Sequence, residues 1–353
     1  MKKLLLLALF AFSLVSLNSC SKKENPKEDF VGLFKFENDS GKQGFMDKTG
    51  KIIIQPQFDE VNDFKDGLSM VNVGGIKEDN FFNLLKGGKW GYIDKTGKYI
   101  INLQFDDAYD FSEGLAGVAI GEKWGFVDKN GQYVINPQFD IVFEFFEGLA
   151  IIEVEGKYGF VDKTGKIVIN PQFDYCFNFK EGLAPVKIGE KWGYVNKKGE
   201  YVINPQFEFA QQFSEGIAAV EIGEKFGFID KKGKFVINPQ FDDANEFQEG
   251  LASVTIEEKQ GYIDKAGKFV INPQFNGTYQ FSEGLAYVRI GGEKDEYGIT
   301  EGGKFGYIDK TGKIVIQPQF DEAYPFRNGL AYVKKDGKWF YVDKQGKSII
   351  PHE

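Results

Sequence analysis

Carboxylates are the most abundant chemically active side chains of this 353-residue chain, which has 52 Asp and Glu residues but one histidine and two cysteines. Paired carboxylates could hydrolyse glycosidic bonds by general acid and base catalysis. A catalytic pair should be singular, whereas these acids recur at regular intervals, so we expect no catalytic residue and no enzyme. The histidine, His352, lies in the last two residues. There we expect fraying, which would leave no imidazole for Ser-His-Asp or Cys-His catalysis.

The same composition argues against metals, cofactors and nucleic acids. One histidine with Cys20 and Cys176 is too few ligands for a zinc site. Aspartates such as Asp94 and Asp128 could in principle bind calcium, but Lys95 follows the first and opposes a cation. The formal net charge is −9, and an acidic chain is a poor counterion for phosphates. We therefore predict no metal, no cofactor and no nucleic-acid partner.

The N-terminal segment predicts where the protein resides. A charged start is followed by a mostly apolar run from Leu4 to Leu17, which is too short to span a bilayer. Leu17-Asn18-Ser19-Cys20 resembles the lipobox of bacterial lipoproteins, and the resemblance implies cleavage before Cys20 and acylation of its thiol. We expect a signal peptide at residues 1–19, a membrane-anchoring Cys20 with a polar tether at 20–29, and a location in the cell envelope. The outer membrane is the expected site, and the leaflet stays open.

A glycine-centred motif repeats through the rest of the chain, residues 30–353. Five consecutive steps between the glycines are 34 residues, and the two longer steps contain insertions at 74–87 and 291–303. A ninth copy starts at Trp339, with Phe340 in place of the glycine. The glycines are Gly44, Gly91, Gly125, Gly159, Gly193, Gly227, Gly261 and Gly306. Units this small must stack on their neighbours to bury an apolar face.

Each unit reads as a three-stranded antiparallel meander. The segment from Leu115 to Ile120 alternates, Trp124 to Asp128 forms a second strand, and Gln132 to Asn136 a third that Pro137 stops. Short turns connect only antiparallel neighbours. In the Asp-Lys-x-Gly turn the aspartate is expected to accept amide hydrogen bonds and the glycine to supply positive φ, so these aspartates receive a structural role.

The motif from Lys89 to Lys98, together with Asn136-Pro137-Gln138-Phe139-Asp140 and Phe281 to Ala286, resembles the WG repeat family over residues 30 to 353. The resemblance implies an all-β repeat architecture, mostly without an assigned activity, and transfers no catalytic residue. Other residues replace the family's tryptophan at Gln43, Tyr158, Phe226, Gln260 and Phe305. We therefore expect Trp90, Trp124, Trp192 and Trp339 to serve packing.

Two architectures can hold nine such units. An open superhelical stack, or β-solenoid, lengthens with copy number, whereas a β-propeller closes into a ring but usually has four strands per blade. Three strands in 34 residues favour the open stack, and Pro185 suggests an unpaired edge in its strand. The propeller is the alternative.

Sequence variation is greatest between Pro-Gln-Phe and Phe-Ser-Glu-Gly. The central copies have apolar side chains there where the outer copies have polar ones, and this set forms a candidate ligand-binding aromatic strip: Tyr109, Ile141, Phe143, Tyr175, Phe177 and Phe209. Seven residues do not reveal whether the segment is helical or extended, or whether the strip is exposed or buried between units. Cys176 falls in a small apolar column and is expected to be buried.

These observations predict a non-catalytic, membrane-anchored scaffold that binds an envelope protein or glycan. A carboxylate-based glycan hydrolase and a purely structural spacer are the alternatives. The sequence does not identify the ligand or the oligomeric state.

Overall fold

The computed structural model describes residues 32–77, 85–294 and 300–353. In these ranges the chain forms nine small antiparallel sheets, or blades, arranged in a ring, so the fold is a nine-bladed β-propeller. Neighbouring strands in each blade follow one another along the chain. The described ranges contain no helix suited to crossing a membrane.

The strands of blades 1 to 5 follow in chain order. Blade 1 contains Leu33–Glu37, Gln43–Asp47 and Ile52–Phe58. Blade 2 contains Glu60–Val61, Ser69–Lys77, Leu85–Ile93 and Tyr99–Phe105. Blade 3 contains Asp107–Ala108, Leu115–Ile120, Lys123–Asp128 and Tyr133–Phe139. Blade 4 contains Ile141–Phe146, Leu149–Val154, Lys157–Asp162 and Ile167–Phe173. Blade 5 contains Tyr175–Cys176, Leu183–Ile188, Lys191–Asn196 and Tyr201–Phe207.

Blades 6 to 9 continue the pattern. Blade 6 contains Phe209–Ala210, Ile217–Ile222, Lys225–Asp230 and Phe235–Phe241. Blade 7 contains Asp243–Ala244, Ala252–Ile256, Lys259–Ile263 and Phe269–Phe275. Blade 8 contains Gly277–Thr278, Leu285–Ile290, Lys304–Asp309 and Ile314–Phe320, with an added hairpin of Glu293–Lys294 and Thr300–Glu301. Blade 9 contains Glu322–Ala323, Leu330–Lys335, Lys338–Asp343 and Ser348–Ile349.

The predicted three-stranded unit was one strand short. The variable segment before Phe-Ser-Glu-Gly is extended at its start and pairs with the next strand, as in Asp107 opposite Ala119 and Ala108 opposite Val118. Blades 2 to 9 therefore have four strands, and their first strand is only two residues long except in blade 4. Seven residues could not reveal this strand because its hydrophobic pattern is too short to show a period.

The repeated glycine is required because the last strand of the blade bulges toward it and leaves no room for a Cβ. Pairing between the third and fourth strands shifts register at this point in blades 2 to 8, as between Trp124 and Phe126 of blade 3, and the last two strands of three-stranded blade 1 show the same shift. A Cβ added to Gly125 would lie 2.4 Å from the Ile135 carbonyl oxygen and 2.6 Å from the Pro137 nitrogen. Blade 9 accepts Phe340 because its fourth strand, Ser348–Ile349, ends before the bulge.

The Asp-Lys-x-Gly turn has the predicted geometry. The Asp128 carboxylate accepts hydrogen bonds from the amides of Asn130 and Gln132, both at 2.9 Å. Gly131 has a φ of +78° and donates its amide to the Asp128 carbonyl. These bonds, led by the one from Gln132, lower the pKa of Asp128. The recurring aspartates are therefore turn residues.

The glutamates of the Phe-Ser-Glu-Gly loops also have structural partners. The Glu113 carboxylate of blade 3 accepts the Gly148 amide of blade 4 at 3.0 Å and pairs with Lys163 at 3.0 Å. The same contacts recur at Glu147 with Gly182 and Lys197. These recurring glutamates thus hold one blade to the next.

Adjacent blades pack face to face. Leu149, Ile151 and Phe160 on one face of blade 4 contact Cys176 and Val186 on the opposite face of blade 5. Cys176 is buried, as predicted. This repeated contact supplies the core that no single blade can form.

The ring closes by the same contact. Phe34 and Phe36 of blade 1 pack against Leu330 and Tyr341 of blade 9, and the Phe34 and Tyr341 rings lie 5.2 Å apart. His352 donates its amide to the Gly50 carbonyl at 2.7 Å and accepts the Ile52 amide at 2.9 Å. The preference for an open stack was therefore wrong, because closure satisfies the end faces, and the propeller alternative is correct.

Two smaller expectations also fail. His352 is held by backbone pairing rather than frayed, although its side chain is exposed. Pro185 lies in an interior strand, paired with Tyr194 on one side, and its carbonyl accepts the Phe177 amide at 3.0 Å on the other. The first strand of blade 5 ends at Cys176, so it has no residue that would accept a hydrogen bond from an amide at position 185. The absence of this amide in proline therefore leaves the hydrogen bonds between the strands intact.

The first strands lie around the axis of the ring. Lys180 of blade 5 contacts Glu246 of blade 7 at 2.6 Å, past blade 6. Arg327 of blade 9 reaches within 4.0 Å of Asp63 of blade 2, past blade 1. Contacts that skip a blade are possible only near the centre. The described residues of the two insertions, 74–77 and 85–87 in blade 2 and 291–294 and 300–303 in blade 8, extend the hairpin between the second and third strands.

Candidate functional site

The aromatic strip lies on the axial side of blades 3 to 6. All six of its side chains are half-buried. Tyr175, Phe177 and Phe209 gather around Trp192, with ring centroids 5.8, 5.2 and 5.6 Å from the indole. Tyr109 stacks on Trp124 at 4.8 Å instead. The strip is therefore both a partial lining of the axis and a contact between blades.

The other two strip residues belong to blade 4. Phe143 packs against the core between blades 4 and 5, and Ile141 lies opposite Glu153 across the strand pair. Trp192 beneath the strip is 5% exposed, as its predicted packing role requires. The structure thus places one apolar arc over three adjacent blades, with Tyr109 at its edge.

Acidic groups surround this arc. Asp107 and Asp243 are exposed to solvent, yet desolvation by surrounding protein raises the pKa of each carboxyl. Asp107 of blade 3 and Asp243 of blade 7 occupy the repeat position that Tyr175 and Phe209 hold in blades 5 and 6. Glu221, opposite Phe209, has a raised pKa from desolvation and from the charges of two nearby glutamates. Acidic residues therefore flank the strip.

Asp110, next to Tyr109, is a buried carboxyl with a strongly raised pKa. Desolvation raises its pKa to about 6, against the opposing effect of Lys65. Its Oδ1 atom is buried and has no hydrogen-bond partner among the described residues. A carboxylate in this state costs folding free energy at neutral pH.

A second aromatic surface, which the sequence analysis missed, covers blades 8 and 9. We call it the tyrosine surface, and it consists of Tyr279, Tyr287, Tyr324, Tyr332 and Trp339. Tyr279 and Tyr324 are 36% and 42% exposed, more than any strip residue. Tyr279 stacks on Tyr287 at 4.1 Å with planes 10° apart, and Tyr332 stacks on Trp339 at 4.7 Å.

Cations accompany the tyrosine surface. The Arg289 guanidinium lies 4.7 Å from the Phe305 ring centroid, and the Lys334 ammonium lies 5.4 Å from that of Trp339. The sequence did contain a signal: Tyr287 and Tyr332 occupy the same position of the second strand in blades 8 and 9. That strand pairs with the variable segment. That pairing became visible only with the fourth strand.

The described residues offer little for catalysis or metal binding. None of their His, Cys, Asp and Glu side chains form a cluster of three or more that could hold a metal ion. Burial raises the pKa of the Cys176 thiol, which makes it a poor nucleophile. Cys20 and the predicted signal peptide and tether lie outside the described residues.

Comparison with known families identifies the repeat. The profile described as WG containing repeat matches eight segments: residues 44–75, 90–124, 124–158, 158–192, 192–226, 226–259, 261–293 and 305–339. These segments are offset from the blades, because the first begins in the second strand of blade 1 and the others begin in the third strands of their blades. No curated protein shows significant similarity to the chain.

Several solved structures resemble the fold at low identity. A eukaryotic initiation factor is 10% identical with a TM-score of 0.56, over 90% of this chain and 88% of its own. The dihydro-heme d1 dehydrogenase NirN is 10% identical with a TM-score of 0.47, over 92% and 78%. AztD from Citrobacter koseri is 10% identical with a TM-score of 0.40, over 80% and 92%. The first likeness concerns the fold alone.

Proposed function

The chain belongs to the family of WG-containing repeat proteins, and from this premise we propose that it is a non-catalytic, lipid-anchored scaffold of the bacterial cell envelope. Its propeller displays the aromatic strip to a partner protein. The observation that carries the proposal is the half-buried aromatic arc of blades 4 to 6, which acidic residues flank.

The charge around the arc favours one kind of partner. Asp107 and Asp243 flank the apolar rings in the neighbouring blades, Glu221 lies opposite Phe209, and Lys187 lies opposite Tyr175, so three acids accompany one lysine. A polypeptide segment that combines an aromatic or aliphatic side chain with Lys or Arg complements both features. A neutral glycan would use the rings but not the acids.

Peptide binding tests this role of the strip. The full-length protein in detergent micelles is applied to immobilised peptides that vary in basic and apolar content. Tyr175→Ser with Phe209→Ser should weaken capture of basic, apolar peptides about tenfold, since central aromatics dominate such contacts. Val202→Ser, which changes a 44% exposed side chain on the fourth strand of blade 5, is the matched control.

Four outcomes contradict the proposal. Equal capture by the strip variant and the control removes the strip as the site. Capture by neutral polysaccharide rather than peptide replaces the protein partner with a glycan. Polysaccharide cleavage that one carboxylate substitution abolishes replaces the scaffold with a hydrolase, and no partner at all leaves a spacer.

The anchor needs a separate test. Cells grown with labelled palmitate should incorporate label into the protein, and Cys20→Ala should remove both the label and partitioning into the detergent phase, because several acyl chains on one residue anchor firmly. A protein that stays unlabelled, or that partitions unchanged in the variant, contradicts lipid attachment at Cys20.

A further inference from the structure

The chain enters the propeller on one face of the ring. Strands alternate in direction within each blade, so the loops between first and second strands and the turns between third and fourth strands lie on the same face. The ion pair of Glu113 with Lys163 joins a loop and a turn of this kind. Leu33, at the start of the first described strand, lies opposite the turn residue Asp47. The preceding residues, Cys20 among them, therefore connect to the ring on this face, which we call the entry face.

Most turns of the entry face contain two lysines, and the two differ in their partners. The first lies at the second position of the turn and in blades 4 to 9 pairs with a glutamate of the preceding blade, as Lys231 does with Glu181 at 3.1 Å. The second directly follows the turn glycine, is exposed, and takes part in no ion pair among the described residues. In blades 1, 2 and 6 to 9 the second lysines are Lys51, Lys98, Lys234, Lys268, Lys313 and Lys347.

These six lysines form a continuous row along the edge of the entry face, because blade 9 is followed by blade 1 in the closed ring. Blades 3 and 5 have Gln132 and Glu200 at this position, which leaves Lys166 of blade 4 isolated from the row. Blade 1, where the chain enters, belongs to the row. The positive charge and the chain entry therefore lie on the same side of the ring.

An exposed apolar side chain accompanies each lysine of the row. In blade 6, Val236 lies two residues after Lys234 and is 49% exposed. Side chains two residues apart in an extended chain point to the same side. The corresponding side chains of the other blades in the row are between 40% and 61% exposed: Ile53, Ile100, Val270, Val315 and, at the end of blade 9, Ile350. We call the six lysines and these six apolar side chains the basic rim.

The opposite face has lysines that are paired with acids instead. The hairpins between second and third strands lie there, and Lys191 at the end of one pairs with Glu208 at 2.7 Å. The same kind of pair forms at Lys123, Lys157 and Lys225. Exposed acids such as Asp107 and Asp243 follow these pairs at the start of the first strands. The lysines of the basic rim thus lack the neutralising acids that these lysines of the opposite face have.

We infer that the basic rim is a membrane-contacting surface, through which the propeller rests its entry face on a bilayer that contains anionic lipids. The lysine ammonium groups contact lipid phosphates, and the aliphatic side chains enter the headgroup region beside them. Each lysine near an anionic membrane surface strengthens binding about fivefold. The tether is compatible with this contact, because the residues between Cys20 and Leu33 can span at most about 40 Å.

The inference extends the proposed envelope function, and its test uses the full-length Cys20→Ala variant so that the two can fail separately. Without acyl chains, association with vesicles depends on the rim and on segments that all variants share, such as the apolar run from Leu4 to Leu17. Lipid attachment at Cys20 without an effect of the rim overturns this inference alone. An effect of the rim without lipid attachment supports it and contradicts only the anchor.

Sedimentation of the Cys20→Ala protein with lipid vesicles measures the interaction. The vesicles contain phosphatidylcholine alone, which is neutral, or a mixture with phosphatidylglycerol, which is anionic. We expect at least about tenfold tighter binding to the anionic vesicles at low salt, because several lysines act together. The difference should disappear at high salt, because ions screen exposed charges.

Two quadruple variants of equal net charge locate the contact. Replacing four rim lysines by glutamine should weaken binding to the anionic vesicles at least about tenfold. Replacing four lysines of the opposite face should weaken it less than about twofold, because these point away from the bilayer. The rim variant is Lys98→Gln, Lys234→Gln, Lys268→Gln and Lys313→Gln, and the control is Lys123→Gln, Lys157→Gln, Lys191→Gln and Lys225→Gln.

A second pair of variants tests the aliphatic side chains without a change of charge. Val270→Ser with Val315→Ser should weaken binding to the anionic vesicles about fivefold, because less apolar surface leaves water on contact. Val134→Ser with Val202→Ser changes side chains of similar exposure in the two blades that lack the second lysine, and should have no effect.

The thermal midpoint of each variant shows whether it folds. In folded protein, equal weakening by the two quadruple variants, or none by the rim variant, overturns the contact. Equal binding to neutral and anionic vesicles overturns the role of charge, and equal effects of the two serine variants overturn the role of the aliphatic side chains. Tighter binding to polygalacturonate, a soluble polyanion, than to the anionic vesicles replaces the membrane with a polysaccharide.

Discussion

The aromatic strip and the tyrosine surface occupy equivalent positions of the same repeat, yet they differ in exposure and charge. In blades 5 and 6, Tyr175, Phe177 and Phe209 turn toward Trp192 and become half-buried contacts. In blade 8, Tyr287 stacks on Tyr279 and the latter stays exposed. The comparison shows that one repeat position takes different stacking partners, the third-strand Trp192 for Phe177 and the second-strand Tyr287 for Tyr279.

The charges around the two surfaces also differ. Around the strip, acids such as Asp107 and Asp243 have raised pKa values because protein encloses them. Around the tyrosine surface, Gly277 and Asn276 stand where other blades have acids, whereas Glu322 keeps an acid near Tyr324. Repetition thus supplies a constant frame, and a few substitutions change the local charge.

The largest expected effect comes from a substitution that distorts the backbone of blade 5, which supports the aromatic strip. Gly193→Ala in blade 5 would place a Cβ 2.6 Å from the Ile203 carbonyl oxygen, and backbone cannot yield as a side chain can. We expect a loss of about 3 kcal/mol of unfolding free energy. The measurement is chemical denaturation.

Gly216→Ala is the matched control for this substitution. Gly216 has a φ of +92° with nothing within 4 Å of an added Cβ, so it should lose only about 1 kcal/mol of unfolding free energy through backbone strain. Equal losses at the two glycines would contradict the bulge as the reason for the repeated glycine.

Truncating one aromatic residue from each surface sharpens the difference in burial. Phe177→Ala removes a ring packed on Trp192 and Phe209, and should cost about 2 kcal/mol of unfolding free energy. Tyr279→Ala removes an exposed ring, and should cost less than about 1 kcal/mol. Thermal and denaturant unfolding of both variants measure this, and a larger loss at Tyr279 would reverse the comparison.

Asp110 makes the unfolding free energy of the protein depend on pH. Its folded pKa of about 6 lies above the ordinary value of 3.8, so its stabilising contribution is fully present below 3.8 and is lost as pH rises through 6. Asp110→Asn should raise stability at pH 7 by roughly 1 to 2 kcal/mol. Its advantage should shrink toward pH 4.

Denaturation of both proteins from pH 4 to 8 measures this effect of Asp110. The control is Asp128→Asn, because hydrogen bonds lower the pKa of that turn aspartate and reverse the sign. If the difference in unfolding free energy between Asp110→Asn and the wild type does not change with pH, the desolvated state of Asp110 is contradicted.

Much of the fold follows from local sequence chemistry. The antiparallel meander, the Asp128 turn and the burial of Cys176 each depend on a few neighbouring residues, and the structure confirms them. Closure does not, because the contact of Phe34 with Tyr341 joins residues at opposite ends of the array. No local pattern specifies it.

The candidate site shows the same limit. The strip could be identified because its aromatic residues cluster in one variable segment. The tyrosine surface could not, because it combines Tyr279 with Tyr287 across a strand pair that the three-stranded unit omitted. Exposure also depends on neighbours: Tyr109 and Tyr279 share one repeat position, but only the second is exposed.

Both surfaces face one axis only if the ring is closed, and a double-mutant cycle between Phe34 and Tyr341 tests closure most directly. Phe34→Ala, Tyr341→Ala and the double variant should give a coupling energy of about 1 kcal/mol, since the rings meet edge to face at 5.2 Å. Tyr307 and Phe326, another edge-to-face pair between neighbouring blades, at 4.8 Å between blades 8 and 9, should give a similar value. Coupling in the second pair but none in the first would mean that blades 1 and 9 do not meet, and would contradict the nine-bladed ring.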